Sequence, residues 1–360
     1  MVASNPLLDL RSHIGTVASK VRFDVLDRTL AVIGEITPAR TITITLDTTA
    51  SIIRALRGFT LHANDARTIN PQADRIRPIW CLEDGTEWPW GVFLLSGETR
   101  RVGSAHTFVD ATLMDQGFQL GQPMSRSFGV GTGGAVRPAM VELVEEAGIF
   151  DYEIDPTEQT VGGPINFQIG TSRTTVINAL GKLAGFHIAH FDNDGTLRLV
   201  APTPLQPGAG HLYEVEGPAV RVRRNSISEN SNLLNAPNVY VVVCNGPSAS
   251  EIVARAMIDP RLPHSIENRG FEVPKIIRMQ GLTDTAHAQR IADAAAMTDP
   301  FQLETVAFSS APDPRHDTFD VVEFSGGLFQ ESSWSCALAP GADHHHEITK
   351  QVTDFGGTDG

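Results

Sequence analysis

The clearest pattern along the chain is alternation at period two. Arg40-Thr-Ile-Thr-Ile-Thr-Leu46 sets polar and apolar side chains on opposite sides of an extended backbone, as a sheet wet on one face requires. Similar short runs occur at Val21–Leu26, Leu30–Ile36, Ile52–His62, Gly91–Ser96 and His106–Leu113. Turn signals separate them at Asp27-Arg28, Thr37-Pro38, Asn70-Pro71 and Asp84-Gly85. Six or so strands without a convincing helix predict a β barrel or sandwich over 1–115.

The pattern then changes period. Gln116–Gly134 is rich in Gly and Ser and reads as a loop. A helix is predicted over Arg137–Ala147, with Pro138 in its first turn, Met140, Val141, Val144 and Ala147 on one face, and Gly148 closing it. A second is predicted after Thr171 or Ser172, carrying the stripe Val176, Ile177, Leu180, Leu183 and Ala184 and ending at Gly185. A hairpin follows, Phe186–Phe191 and Thr196–Val200 around Asp192–Gly195. Prolines and glycines between 201 and 218 mark a boundary, and the tail after Asp354 reads as frayed. Between them strands are predicted at Ala219–Ile227, Asn238–Cys244, Ile252–Met257, Leu303–Ser309, Phe319–Phe324 and Ser333–Leu338, with one Ala-rich helix at Asp284–Met297. The reading is an α+β, β-rich multidomain chain: 1–115 a first β domain, 116–205 a mixed α/β insert, 206–345 a second β-rich domain with one helix, and 346–360 a C-terminal extension.

Composition narrows the class. Hydrophobic residues at 41% and charged residues at 19% support packed cores and exclude a disordered chain. A net charge of −14 argues against a protein that grips phosphate backbones with a basic face. No apolar run reaches membrane-spanning length, and the start lacks a secretion-signal layout, so a soluble protein made in a cytoplasm is expected. Cys81, Cys244 and Cys336 lie far apart and fit free thiols.

The motifs that could carry chemistry read as architecture. Gly129–Gly134 precedes a helix, but Ala135-Val136 stand where a phosphate loop needs Lys and Ser or Thr, so a flexible connector is expected. Asp343-His-His-His-Glu347 puts neighbouring imidazoles on opposite sides of an extended chain, which favours a solvated connection over a metal site. Asp192-Asn-Asp-Gly195 is turn chemistry, since the Glu that would complete a calcium loop is missing. Glu145 and Glu146 fall on a wet helix face. Trp88-Pro-Trp90 could stack a sugar, but fits better as a core anchor or subunit contact. No catalytic, cofactor-binding or metal-binding residue is assigned, and no cofactor is expected.

The order of these motifs resembles a known family. Arg40–Asp47, Ile76-Arg-Pro78, Leu82-Glu-Asp-Gly-Thr-Glu87, Pro89-Trp-Gly-Val-Phe93 and Thr112–Asp115 come first; Val176–Phe186 with Phe191–Leu197 follow; then Glu229–Tyr240 with Asn235, Asn238 and Val239, Asp259-Pro260, Thr283–Ala296 and Asp320-Val-Val322. Over about 20–350 this series is similar to phage minor tail proteins that form the hub of the tail tip, relatives of the baseplate hub. The resemblance is loose over Asp259–Glu272, and the extended C-terminus has no clear counterpart. It implies two tail-tube-like β-barrel or sandwich domains around an α/β segment, and a non-enzymatic virion protein assembled in the host cytoplasm. Three copies would close a ring that adapts a hexameric tube to the tip. Its partners would be itself as a homotrimer and the tail tube, distal-tail, tape-measure and tip or fibre proteins, with DNA only as transiting cargo and no stable membrane insertion. Three chains carry −42, and part of that charge is expected to face the channel. The alternatives are a host-glycan binding module using Trp88 and Trp90 and, behind it, a cell-wall hydrolase.

Overall fold

The computed structural model describes residues 19–82, 84–102, 107–201, 211–213, 222–223, 226–231, 236–245, 251–279, 282, 284–298, 304–339 and 341–350. Most of the boundary expected at 201–218, and the tail after Asp354, lie outside them. The N-terminal part is built from β1 (Ser19–Leu26), β2 (Val32–Ile36), β3 (Thr43–Asp47), β4 (Arg54–His62), a single turn α1 (Ala63–Ala66), β5 (Arg75–Leu82), β6 (Glu87–Pro89), β7 (Phe93–Val102) and β8 (Thr107–Asp115). Alternation does its expected work in β3, where Ile44 and Leu46 are buried and Thr43 and Thr45 are half-buried. β5 departs from the prediction: Arg75, Arg77 and Pro78 hide a strand that pairs with β1 along its whole length. Pro78 is tolerated because it stands where the other edge of β5 passes from β7 to β6, so that ladder is already interrupted.

The middle segment carries α2 (Gly117–Leu120), β9 (Phe128–Val130), α3 (Val136–Glu146), β10 (Tyr152–Ile154), β11 (Ile165–Phe167), α4 (Arg173–Ala184), β12 (His190–Phe191) and β13 (Leu197–Leu199). α4 follows its sequence residue by residue. Ser172 Oγ accepts the Thr175 N–H at 3.2 Å, Val176, Ile177, Leu180 and Leu183 are buried, and Gly185 ends the helix at φ +77°. α3 buries Met140, Leu143 and Val144 and leaves Glu145 and Glu146 exposed, as expected of a wet face.

The remaining elements are β14 (His211–Tyr213), β15 (Ser228–Ser231), β16 (Val239–Asn245), β17 (Glu251–Met257), α5 (Ile266–Arg269), β18 (Pro274–Met279), α6 (Thr285–Thr298), β19 (Glu304–Ser310), β20 (Val321–Phe324), β21 (Gly327–Ala337) and β22 (His344–Lys350). β16 lies between antiparallel β17 and parallel β18. Ala288, Ala292 and Ala296 of α6 join Val242, Cys244, Ala254 and Ala256 in one core, and that core also holds the buried faces of α3 and α4. The chain then returns to the N-terminal strands. β21 pairs with β3, setting Trp334 opposite Leu46 and Cys336 opposite Ile44.

That pairing joins the two β-rich parts through one sheet. β3 spends its outer edge on β21 rather than on a strand of its own domain. The two strand-rich parts therefore merge into one 14-stranded sheet that runs from β15 to β2, and no closed barrel forms among the described residues. Beneath it, one core gathers Ile44, Leu56, Phe93, Trp90 and Trp334, and another gathers Tyr213, Val306, Phe308, Phe324, Phe329 and Ile348. Among the described residues no helix is long and apolar enough to cross a membrane.

Candidate functional site

The densest chemistry lies where these parts meet, under the loop 311–320 between β19 and β20. Asp313 shapes the loop by accepting Nε–H of Arg315 at 2.8 Å and its Nη2–H at 2.5 Å. Burial alone would favour the neutral Asp313 carboxyl, but Arg315, His211 and His316 hold it well below the usual carboxylate range. The loop is gripped from two directions. From the N-terminal sheet, Trp90 donates Nε1–H to the Pro314 carbonyl at 2.7 Å, and Arg54 donates Nη2–H to Asp317 and to Thr318 Oγ1. From the middle segment, Asn193 donates its N–H to Asp317 Oδ2 at 3.1 Å and its Nδ2–H to the His316 carbonyl at 2.8 Å. Arg54 Nη1 also donates to Asn193 Oδ1 at 2.5 Å. Phe319, held at φ +64°, stacks on His187 with ring centres 4.3 Å apart and meets His190 edge-on.

The expected turn Asp192–Gly195 is present: Asp192 Oδ1 accepts the N–H groups of Asp194 and Thr196, and Gly195 sits at φ +93°. Its second task, docking Asn193 into the loop, was not legible locally, because its partners lie more than a hundred residues away.

Below the loop lies a buried histidine centre. β22 is a strand and not a solvated connection, which corrects the reading of Asp343–Glu347. Alternation turns His344, His346 and Ile348 inward and leaves His345 exposed, its Nδ1 2.8 Å from Ser309 Oγ. Neighbouring imidazoles of the triplet diverge, but the first and third share a face. From the facing elements come Glu331 of β21, His316 of the loop and Tyr213 of β14, all closed to solvent. Glu331 Oε1 lies 2.5 Å from His346 Nδ1, and Oε2 lies 2.5 Å from His316 Nδ1. Tyr213 Oη lies 2.5 Å from His316 Nε2, and Ser310 Oγ lies 2.9 Å from His346 Nε2. His211 stacks on His316 at 3.9 Å, with its Nε2 3.0 Å from Asp320 Oδ2.

Charge in this centre is polarised. Burial opposes a proton on His316, but Glu331, Asp313 and Asp320 together push it up to about 9. Burial likewise opposes the Glu331 anion, and His316 and His346 reverse that, holding it well below the usual carboxylate range. His344 and His346 go the other way. Burial holds both below the ordinary imidazole value, His344 the more strongly because His346 and His316 lie beside it.

His187 shows what such burial does to stability. Burial, with His190 adding to it, lowers it from 6.5 to about 4. The unfolded chain therefore takes up this proton first, so stability present above pH 6.5 is lost as the pH falls toward 4. Thermal melts over that range should show the midpoint dropping, and His187→Gln should make the drop shallower; an unchanged slope would contradict the assignment.

The other sequence motifs take structural roles. Gly129–Gly134 is part strand and part tight turn, not a flexible connector. Gly129 belongs to β9, and the N–H groups of Gly133, Gly134 and Val136 are already given to the carbonyls of Val161, Gly131 and Gln159. A side chain at Gly134 would meet Val130 at 2.6 Å and the Gly131 carbonyl at 2.9 Å. Trp90 is 1% exposed and packs between Trp80 and Trp334, so it is a core anchor and cannot offer a sugar its face. Trp88 is half-buried opposite Trp80. All three cysteines are free and buried.

No protein-family model matches the sequence, and no curated protein matches it either. Solved structures do match. The tail protein of Neisseria meningitidis MC58 superposes with a TM-score of 0.66 at 12% identity, over 92% of this chain and 97% of that one. The chain has the fold of phage tail proteins. The 43 kDa tail protein of prophage MuSo2 from Shewanella oneidensis agrees, with a TM-score of 0.62 at 13% identity over 92% of this chain and 98% of that one. A chain of the Francisella PdpA–VgrG complex shares the tail-protein fold at a TM-score of 0.53 and 9% identity, over 97% of this chain and 61% of that one.

Proposed function

We propose that the chain is a structural component of a phage tail tip: a hub whose three copies close a ring between the tail tube and the tip and leave a channel for DNA. The observation that carries this reading is an uncovered sheet face that exposes large apolar side chains. α6 covers one side of β16 and β17; on the other, register aligns Val243 with Val253 and Val241 with Ile276. There Val253 is 47% exposed, Met257 59% and Ile276 55%. Arg255, in register with Val241 and paired with Glu272, and Arg278 share this open face, so apolar side chains and charge stand together on it as in a subunit contact, and a second copy of this chain is the occupant a ring supplies.

Two further observations support it. The large sheet divides at the β3–β21 pairing into an N-terminal set and a C-terminal set of strands. Taken as two tube-like units, three chains present six to a hexameric tube. The histidine centre is closed to solvent, which gives a substrate no approach to its side chains. With a charge of −14 per chain, acidic side chains turned to the channel would keep DNA from sticking. Tail tube, distal-tail, tape-measure and tip proteins are the expected neighbours.

The reading has a direct test. Sedimentation of the purified chain should give a trimer at micromolar concentration. Val253→Glu with Met257→Glu should shift it to a monomer with an unchanged circular dichroism spectrum. A wild-type chain that sediments as a well-folded monomer would overturn the ring.

A further inference from the structure

We propose that His316, Glu331 and His346 bind one divalent transition-metal ion of the zinc class, through the two Nδ1 atoms and the Glu331 carboxylate. The inference does not depend on the assembly reading.

The first argument is geometric. The three donor atoms lie within 4.8 Å of one another on three side chains with no solvent exposure. Three separate chain segments bring them together: the 311–320 loop, β21 and β22. Two imidazole nitrogens with a carboxylate oxygen are a zinc-type set; magnesium or calcium would demand oxygens.

The second is an account of protons. The Ser310 hydroxyl reaches the Ala311 carbonyl at 2.7 Å, and when it donates there its oxygen accepts from His346. With the hydrogen of a neutral ring on Nε2, His346 Nδ1 presents a lone pair toward Glu331 Oε1, the tautomer a metal ligand needs; with the hydrogen on Nδ1, the same 2.5 Å contact is a hydrogen bond to the carboxylate. The other carboxylate oxygen faces His316, whose Nδ1 proton the ion would displace. His316 Nδ1 and Glu331 Oε2 approach to 2.5 Å, yet the N–H direction is not aligned for a hydrogen bond, and both buried atoms lack any other hydrogen-bond partner. A proton or a metal ion held at the shared point accounts for so close an approach of two nitrogens to one carboxylate, and the metal would take the place of the His316 Nδ1 proton.

The third is the surrounding shell. Each ligating ring has its other nitrogen held by a hydroxyl, His316 by Tyr213 and His346 by Ser310, which fixes tautomer and ring direction as metal-bound histidines require. Asp313 is neutralised by Arg315, which leaves Glu331 and Asp320 to balance a dication. His344, also fully buried, has an unpartnered Nε2 in a ring 4.0 Å from that of His346, close enough to supply a fourth ligand after a rotation.

Metal analysis of untagged protein, expressed with zinc in the medium and dialysed against a chelator, should find close to one metal ion per chain. Refolding with Co²⁺ should give the visible absorption of a low-coordinate N/O site. Zn²⁺ should raise the midpoint of metal-stripped protein by roughly 5 °C or more. His345→Ala, which removes the exposed imidazole of the triplet, should keep the ion, whereas His346→Gln should lose it. Loss of metal in His345→Ala would assign the ion to the surface and overturn the proposal. Metal-free wild-type protein whose melting and absorption ignore both ions would also overturn it, and would leave a centre held by protons alone.

Discussion

Trp90→Ala is expected to lower stability by roughly 3–5 kcal/mol, the cost of removing a large aromatic from a packed core. The ring is 1% exposed, with the centres of Trp80 and Trp334 each 5.5 Å away and His344 at 5.9 Å. Truncation opens a cavity between the N-terminal strands and β21, where the two halves of the sheet join. It also strands the Pro314 carbonyl, which accepts the indole N–H at 2.7 Å in a buried place, at a further cost of about 1–3 kcal/mol. Trp90→Phe separates the two contributions, since it keeps most of the volume and loses the donor. Denaturant titrations should therefore rank wild type above Trp90→Phe and Trp90→Ala last. A Trp90→Ala protein that unfolds at the wild-type midpoint and has lost glycan affinity would restore the sugar-platform reading.

The same residue shows what local sequence can carry. Trp88-Pro-Trp90 announced an anchor, but not what it anchors, because Pro314 and Trp334 lie more than two hundred residues away. α4 was legible to the residue: Ser172, the apolar stripe and Gly185 act on neighbours within one or two turns. β5 was hidden because arginine and proline interrupt its apolar run, although Ile76, Ile79 and Trp80 are buried. β18 was hidden because one of its faces is open and carries Arg278 beside Ile276. β22 was hidden for the opposite reason: its inward positions are histidines, which hydropathy counts as polar. Its signal was there as period two, His344, His346 and Ile348, and needed a partner for the imidazoles. That partner, Glu331, reaches them through the β21–β22 pairing, which no local pattern encodes.

Arg54 is the second residue on which a large effect should fall. It is 1% exposed, and its guanidinium spans all three parts of the molecule: the side chain leaves β4, one nitrogen bonds Asn193 of the middle segment, and another bonds Asp317 and Thr318 of the C-terminal loop. Arg54→Met should cost about 3–5 kcal/mol, because it removes one partner of a buried ion pair and leaves the other. Asp317 is 28% exposed and still receives the N–H groups of Asn193 and Thr318, so the lower end of that range is expected. Arg54→Lys should recover little. A single ammonium cannot occupy two directions at once, and the planar fork is what reaches Asn193 and Asp317 together. Adding Asp317→Asn to Arg54→Met should restore part of the loss, and the double-mutant cycle should give a coupling of about 0.5–3 kcal/mol. Calorimetry carries the sharper readout. With this tether gone, the core that holds α3, α4 and α6 should melt apart from the large sheet, and the single transition should split in two. A single sharp transition with less than about 1 kcal/mol lost, the cost of a surface pair, would show that the sheet and the helical core are held together by something other than Arg54.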